Sequence, residues 1–255
     1  NLQNIPIRTD MGKEIRKAFV PRDDNHTLLA VDYSQIELRI VASVAEDSGM
    51  LEAFNNGLDI HTATAAKVFG VDVSEVTKNQ RYKAKSVNFG LIYGQGAFGL
   101  SQNLGIKRSE ASELIDAYFE QFGGVKKYMD DTINFAREHG YVKTLMGRKR
   151  FIPDINSNNR TVVGFAERNA INAPIQGSAA DMIKLAMINI HERLSSMDVG
   201  TKMILQVHDE LLFDVPKTEL EEITTVIKEE MERAMPLKVP VIAEAGHGDN
   251  WLEAH

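Results

Sequence analysis

The 255 residues contain no cysteine. That excludes a disulfide framework, a thiolate metal site and a cysteine nucleophile, and it suits a reducing, cytoplasmic setting. No apolar run approaches the roughly 20 residues a helix needs to cross a bilayer, so no membrane partner is expected. Internal repeats, low-complexity tracts and long Gly, Ser or Pro-rich linkers are also missing. No signal peptide stands at the start, and the first residue is Asn1 rather than an initiator Met, so a longer parent chain is expected. Positive charge is scarce. There are 29 Lys and Arg against 36 Asp and Glu, a net charge of −7, which at face value disfavours a nucleic-acid partner.

What is present softens that exclusion. Residues 78–150 hold 13 Lys and Arg against 7 Asp and Glu, a net +6, whereas residues 201–255 hold 5 against 12, a net −7. A basic middle section can face phosphates while an acidic tail faces water, or both can be solvated faces and nothing more. The 43% hydrophobic fraction is ordinary for a globular chain, and the length allows one or two domains.

The apolar run Thr27–Val31 ends at Asp32 and predicts a buried strand. Ser34 is placed to cap a helix over Gln35–Val44. Residues 59–128 are mostly helical in pattern, with breaks at Gly70, Gly94–Gly96 and Gly123–Gly124. Lys143–Pro153 reads as a hairpin or loop. Glu167–Leu194 reads as a long helical stretch made irregular by Ala173-Pro174. Met203–Val207 and Leu211–Val215 flank His208-Asp209-Glu210 and predict a tight antiparallel hairpin. An amphipathic helix over Leu220–Ala234 and a strand over Val239–Ala245 complete an α+β chain with a helical insertion.

Two patterns carry chemistry. If the strand ending at Asp32 neighbours the hairpin bearing Asp209, two carboxylates meet at one sheet edge, with Glu210 beside them. Mg²⁺ takes one or two carboxylates plus substrate phosphates, and two such ions about 3.5–4 Å apart clamp the attacking and leaving oxygens of a phosphoryl displacement. Read singly, either Asp is equally a turn or capping residue. In the second pattern Arg81, Lys85, Phe89 and Tyr93 recur every four residues, along one drifting helix face about 18 Å long. The face grades from cationic, suited to a triphosphate, to aromatic, suited to a sugar and base. An amphipathic helix with a solvated basic start and a core-facing aromatic end gives the same pattern.

These residues resemble the motifs of family A DNA polymerases. Asp32-Tyr33-Ser34-Gln35-Ile36-Glu37-Leu38-Arg39 is similar to the first catalytic motif. The run from Arg81 to Gly94 is similar to the nucleotide-binding fingers helix, and Gln206-Val207-His208-Asp209-Glu210 to the third motif. Asn1–Pro6, Asp59-Ile60-His61, Ala166-Glu167-Arg168, Asn172–Gly177 and Asn250-Trp251 add further likeness in the expected order.

The resemblance implies a right-hand architecture without its thumb. An antiparallel-sheet palm would occupy 1–48 and 159–255, with an inserted α-helical fingers subdomain at 49–158. It implies a monomeric DNA-directed DNA polymerase core using primer–template DNA, deoxynucleoside triphosphates and two Mg²⁺ ions. Asp32, Asp209 and the Tyr33 carbonyl would hold metal, with Glu210 auxiliary. Lys85 would bind phosphate and act as general acid toward pyrophosphate. Arg81, His61 and Gln35 would contact the triphosphate, Phe89 would pack on the nucleotide, and Tyr93 would guard the templating position. Glu37 would exclude a ribose 2′-OH. Arg8, Arg168, Asn172, Gln176 and His208 would line the DNA.

Tyr82 stands where many relatives carry Arg, and Phe89 rather than Tyr favours ordinary deoxynucleotides over dideoxy analogues. Glu37 and Phe89 argue against a single-subunit RNA polymerase. With the thumb expected upstream of Asn1, a non-catalytic DNA- or nucleotide-binding role is the alternative.

Overall fold

A computed structural model describes residues 2–5 and 9–255, so the expected DNA contact Arg8 lies outside the described residues. After a short helix α1 (Asp10–Lys17), the predicted strand forms as β1 (His26–Tyr33), buried along most of its length. It runs antiparallel between two neighbours in a four-stranded sheet of order β4-β5-β1-β6. β4 (Lys202–Val207) and β5 (Glu210–Pro216) make the expected hairpin. The sheet's two central strands are almost wholly buried and its edge strand β4 is not, as covering both faces of a sheet requires. β6 (Ala243–Gly248) is the other edge.

The helices between are α2 (Ile36–Ala45), α3 (Ser48–Asn55), α4 (Ile60–Phe69), α5 (Lys78–Ile92), α6 (Ala97–Leu104), α7 (Arg108–Gln121), α8 (Gly123–His139) and α9 (Arg160–Ser195). A small hairpin of β2 (Tyr141–Lys143) and β3 (Lys149–Phe151) separates α8 from α9. The helix α10 (Leu220–Glu232) and a final turn α11 (Trp251–Ala254) flank β6. The fold class is α+β.

The chain divides into two compact units. One comprises residues 1–36, 179–236 and 241–255 and holds the four-stranded sheet; the other comprises 37–178 and 237–240 and holds the helices α3 to α8. In the sheet unit, one face of β1 carries Leu28 and Ala30 into a cluster with Val207, Leu212, Trp251 and Ala254. Side chains alternate along a strand, so Tyr33 points the other way and its hydroxyl donates to the Met231 carbonyl of α10 at 2.8 Å.

The helical unit has its own joints. Asp47 is buried. Its carboxylate accepts from Gly49 N and Met50 N, capping α3, and from Gly124 N in the first turn of α8. Close approach there requires a glycine, because a Cβ on Gly124 would lie 2.9 Å from the Asp47 Cα.

Four expectations need correction. Helix α2 begins at Ile36, because Gln35 holds a left-handed φ of 54°. Pro174 does not interrupt α9, which runs through it for 36 residues. It forfeits one backbone donor, but buried Ala170, Ile171 and Ile175 keep the helix packed on either side. The final strand starts at Ala243 rather than Val239; Val239 and Val241 are buried outside any strand, so their apolar character reports burial alone. The break before α8 falls at Phe122 rather than the glycines, and a further stop at left-handed Gly105 ends α6.

Candidate active site

In the sheet unit, β1 and β5 pair so that Asp32 lies opposite Glu210, and the Tyr33 N–H donates to the Asp209 carbonyl at 3.2 Å. The register thus brings Asp32, Tyr33, Asp209 and Glu210 to one end of the sheet. His208 sits at the turn with a left-handed φ of 55°, a costly conformation for a non-glycine residue. Burial raises the pKa of Asp32, and the nearby charge of Asp209 adds to it. Asp209 keeps part of its surface open, yet the protein packed around its carboxyl raises its pKa as well. A backbone hydrogen bond and His208 oppose that shift, and Glu210 reinforces it. Glu210 is differently placed. It is buried and both of its oxygens are engaged, Oε1 by Trp251 Nε1 at 2.8 Å and Oε2 by His255 Nδ1 at 2.5 Å.

Two carboxylates at one sheet end, whose charged forms are disfavoured by desolvation and by neighbouring acids, form a donor set that fits a hard divalent cation. Among the described residues no three His, Cys, Asp or Glu side chains gather as a metal site. An ion here would therefore lean on the two aspartates, a backbone carbonyl and oxygens brought by a substrate.

In the helical unit, α5 is opened by Thr77 and Gln80 in a reciprocal capping box and ends before left-handed Gly94. Ala84, Val87, Asn88, Leu91 and Ile92 are buried. Arg81, Lys85 and Tyr93 are exposed and Phe89 is half-buried, so the cationic-to-aromatic line is the open face of the helix. Phe89 and Tyr93 stack with centroids 6.4 Å apart, and His61 tilts against Phe89 at 5.5 Å. The Tyr93 hydroxyl donates to Glu37 Oε2 at 2.5 Å, which joins the expected sugar gate to the base end of the helix. Arg168 lies against Gly94, where a Cβ would fall 2.4 Å from its Cγ. Asn172 follows Arg168 one turn later on α9, with its side-chain oxygen buried and unpartnered among the described residues. Gln176 is exposed on the same helix.

Two partners of these residues, Asp59 and Asn88, are not among those the sequence motifs single out for a role. Asp59 caps α4 and also binds Arg81 through both carboxylate oxygens, at 3.0 and 2.8 Å. Burial resists ionisation of Asp59, but hydrogen bonds from Arg81 and Thr62 outweigh it and hold the pKa at about 2. Asn88 is fully buried and bridges Thr64 and His61 Nδ1, at 3.0 and 3.2 Å. Burial holds His61 down at about 4, with Asp59 opposing and the charges of Arg81 and Lys85 assisting. Asn88 was legible as an amide on the buried side of a helix; the Asp59–Arg81 pairing across 22 residues was not.

The model of DNA polymerase family A matches residues 1–253. The chain belongs to this family. It is 54% identical over 255 residues to DNA polymerase I of Streptococcus pneumoniae, covering 100% of this chain and 29% of that protein. DNA polymerase I of Caldicellulosiruptor bescii is 52% identical over 253 residues, which cover 99% of this chain and 30% of that protein. The chain thus spans under a third of the length of these curated relatives. Among solved structures it is similar to the POL domain of Pol1 from M. smegmatis in complex with DNA primer-template and dNTP. That match has a TM-score of 0.95 and 46% identity, and covers 100% of this chain and 45% of that one. No helix among the described residues is long and apolar enough to cross a membrane.

Proposed function

We propose that this chain carries the nucleotidyl-transfer centre of a DNA-directed DNA polymerase, adding deoxynucleotides to a primer 3′-hydroxyl with release of pyrophosphate. The observation that carries this reading is the pairing of β1 with β5, which delivers Asp32 and Asp209 together with raised pKa values. Family membership and the similar structure solved with primer-template and dNTP support it. A cytoplasmic monomer is the setting this reading carries, with a palm of residues 1–48 and 159–255 and fingers of residues 49–158.

Asp32, Asp209 and the Tyr33 carbonyl would hold two Mg²⁺ ions, which when bound would lower the pKa of the 3′-hydroxyl and offset charge on the phosphates. The chain's own groups do the rest. Asp32 and Asp209 orient the reacting oxygens. Lys85 takes the phosphate tail and gives a proton to departing pyrophosphate. Arg81 and His61 contact the triphosphate, and so does Gln35. The Asp59–Arg81 pair must open or share Arg81 for that contact, and the partial exposure of both side chains makes the exchange inexpensive.

Phe89 packs on the incoming nucleotide and Tyr93 guards the templating position. Glu37, positioned by Tyr93, excludes a ribose 2′-hydroxyl. Glu210 acts as a positioning residue, since Trp251 and His255 already occupy its oxygens. Arg168, Asn172, Gln176 and His208 line the DNA, with Arg8 assigned there by family resemblance alone.

Primer extension with Mg²⁺ tests the proposal. Asp209→Ala is expected to slow incorporation about a thousandfold, since removing a clamp on the reacting oxygens costs several kcal/mol. An unchanged rate would overturn the assignment.

A further inference from the structure

The β2–β3 hairpin carries a surface that nucleotidyl transfer leaves unused. Tyr141 pairs with Phe151 and Lys143 with Lys149. Directly opposed residues of an antiparallel pair project from the same face, as do residues two apart. One face of the hairpin therefore presents two aromatic rings and two ammonium groups.

This arrangement is unfavourable without a partner. Like charges directly opposite destabilise a strand pair, and among the described residues neither lysine forms an ion pair. Both ammonium groups sit instead over the Tyr141 ring, 5.5 and 4.3 Å from its centroid. Strand β3 is exposed throughout, and Phe151 is 68% exposed, an unusual state for a phenylalanine next to two cations. The aromatic surface continues past Tyr141 to Phe135 and His139, stacked 4.1 Å apart.

We propose that this face is an accessory docking surface for an unpaired nucleic-acid strand, with Lys143 and Lys149 taking phosphates and Phe151 stacking on a base. The two lysines call for an anion, and a backbone of regularly spaced phosphates supplies one for each. The open aromatic faces select among polyanions. An unpaired base offers a π-face to stack on, a duplex hides its base faces, and an acidic peptide has none. The surface is independent of Asp32, Asp209 and Lys85, so it can fail without the transfer reading failing, and the reverse.

A reporter placed in the face tests this. The single native tryptophan, Trp251, is fully buried, so Phe151→Trp adds an emission that reports the hairpin alone. Titration of the full chain with oligothymidylate at low salt is expected to quench that added emission saturably. In the same background, Lys143→Ala with Lys149→Ala is expected to weaken the titration roughly tenfold and to flatten its salt slope by about 1.4, two single-strand phosphate contacts. Emission that stays unchanged at saturating oligonucleotide would overturn the proposal. Quenching by oligoglutamate equal to that by oligothymidylate would also overturn it, in favour of an acidic protein partner.

Discussion

In the sheet unit, Asp32 and Asp209 are both raised above the ordinary carboxylate value by the protein packed around them, with Asp209 adding to the shift of Asp32 and Glu210 to that of Asp209. In the helical unit, Asp59 is held at about 2 by Arg81 and Thr62. The group is the same and the local supply of positive charge differs. Asp59 has its counter-ion built into the fold and spends its charge on a cap and a pair. Near the two sheet aspartates the histidines His208 and His255 offset the shift only in part, so net negative charge remains to be answered by something that binds. Glu210 shows a third outcome at the same sheet end, a buried acid answered by an indole and an imidazole. An acid left without its counter-charge inside a well-satisfied fold is the stronger sign of function.

Substitutions can break this contrast. Asp32→Asn is expected to cut primer extension about a thousandfold while raising the thermal midpoint in metal-free neutral buffer, because it removes a charge the fold disfavours. Asp59→Asn should lower that midpoint. A fall in both would mean that the sheet aspartates are structural. Trp251→Ala comes next. It empties a fully buried site beside Phe19, whose ring meets the indole edge-on at 5.3 Å, and strips a donor from Glu210. Urea unfolding should show a loss of about 3–5 kcal/mol.

The histidine of the helical unit gives a smaller effect. His61 has its folded pKa lowered to about 4 from 6.5, so the folded state resists protonation. Stability should be full above pH 6.5 and decline as pH falls toward 4, by on the order of 3 kcal/mol. His61→Gln should flatten that window in a pH series of melts. Asp59 acts in a lower window, its contribution present above 3.8 and lost as pH falls toward 2. The smallest expected change is Arg81→Lys, which replaces a two-point contact by a single one between partly exposed groups. It should cost at most about 1 kcal/mol of stability, read as a small shift in the urea midpoint.

The sequence reading found the strand before Asp32, the hairpin around Asp209 and the graded face of α5, because each rests on a short apolar or charged period that the local backbone obeys. It could not find pairings set by distant register. Glu210 meets Trp251 and His255 from the far end of the chain, and Glu37 meets Tyr93 across 56 residues. Pro174 shows that a local breaker can be overridden by buried neighbours. Val239 and Val241 show that an apolar run can be buried without being a strand.

Asp47 closes two helix starts with one side chain. Neither start can fray without leaving that carboxylate half-satisfied in a buried place. The amides of Gly49 and Met50 and that of the distant Gly124 should therefore exchange with solvent in a single concerted opening, so that α3 and α8 share one local unfolding event.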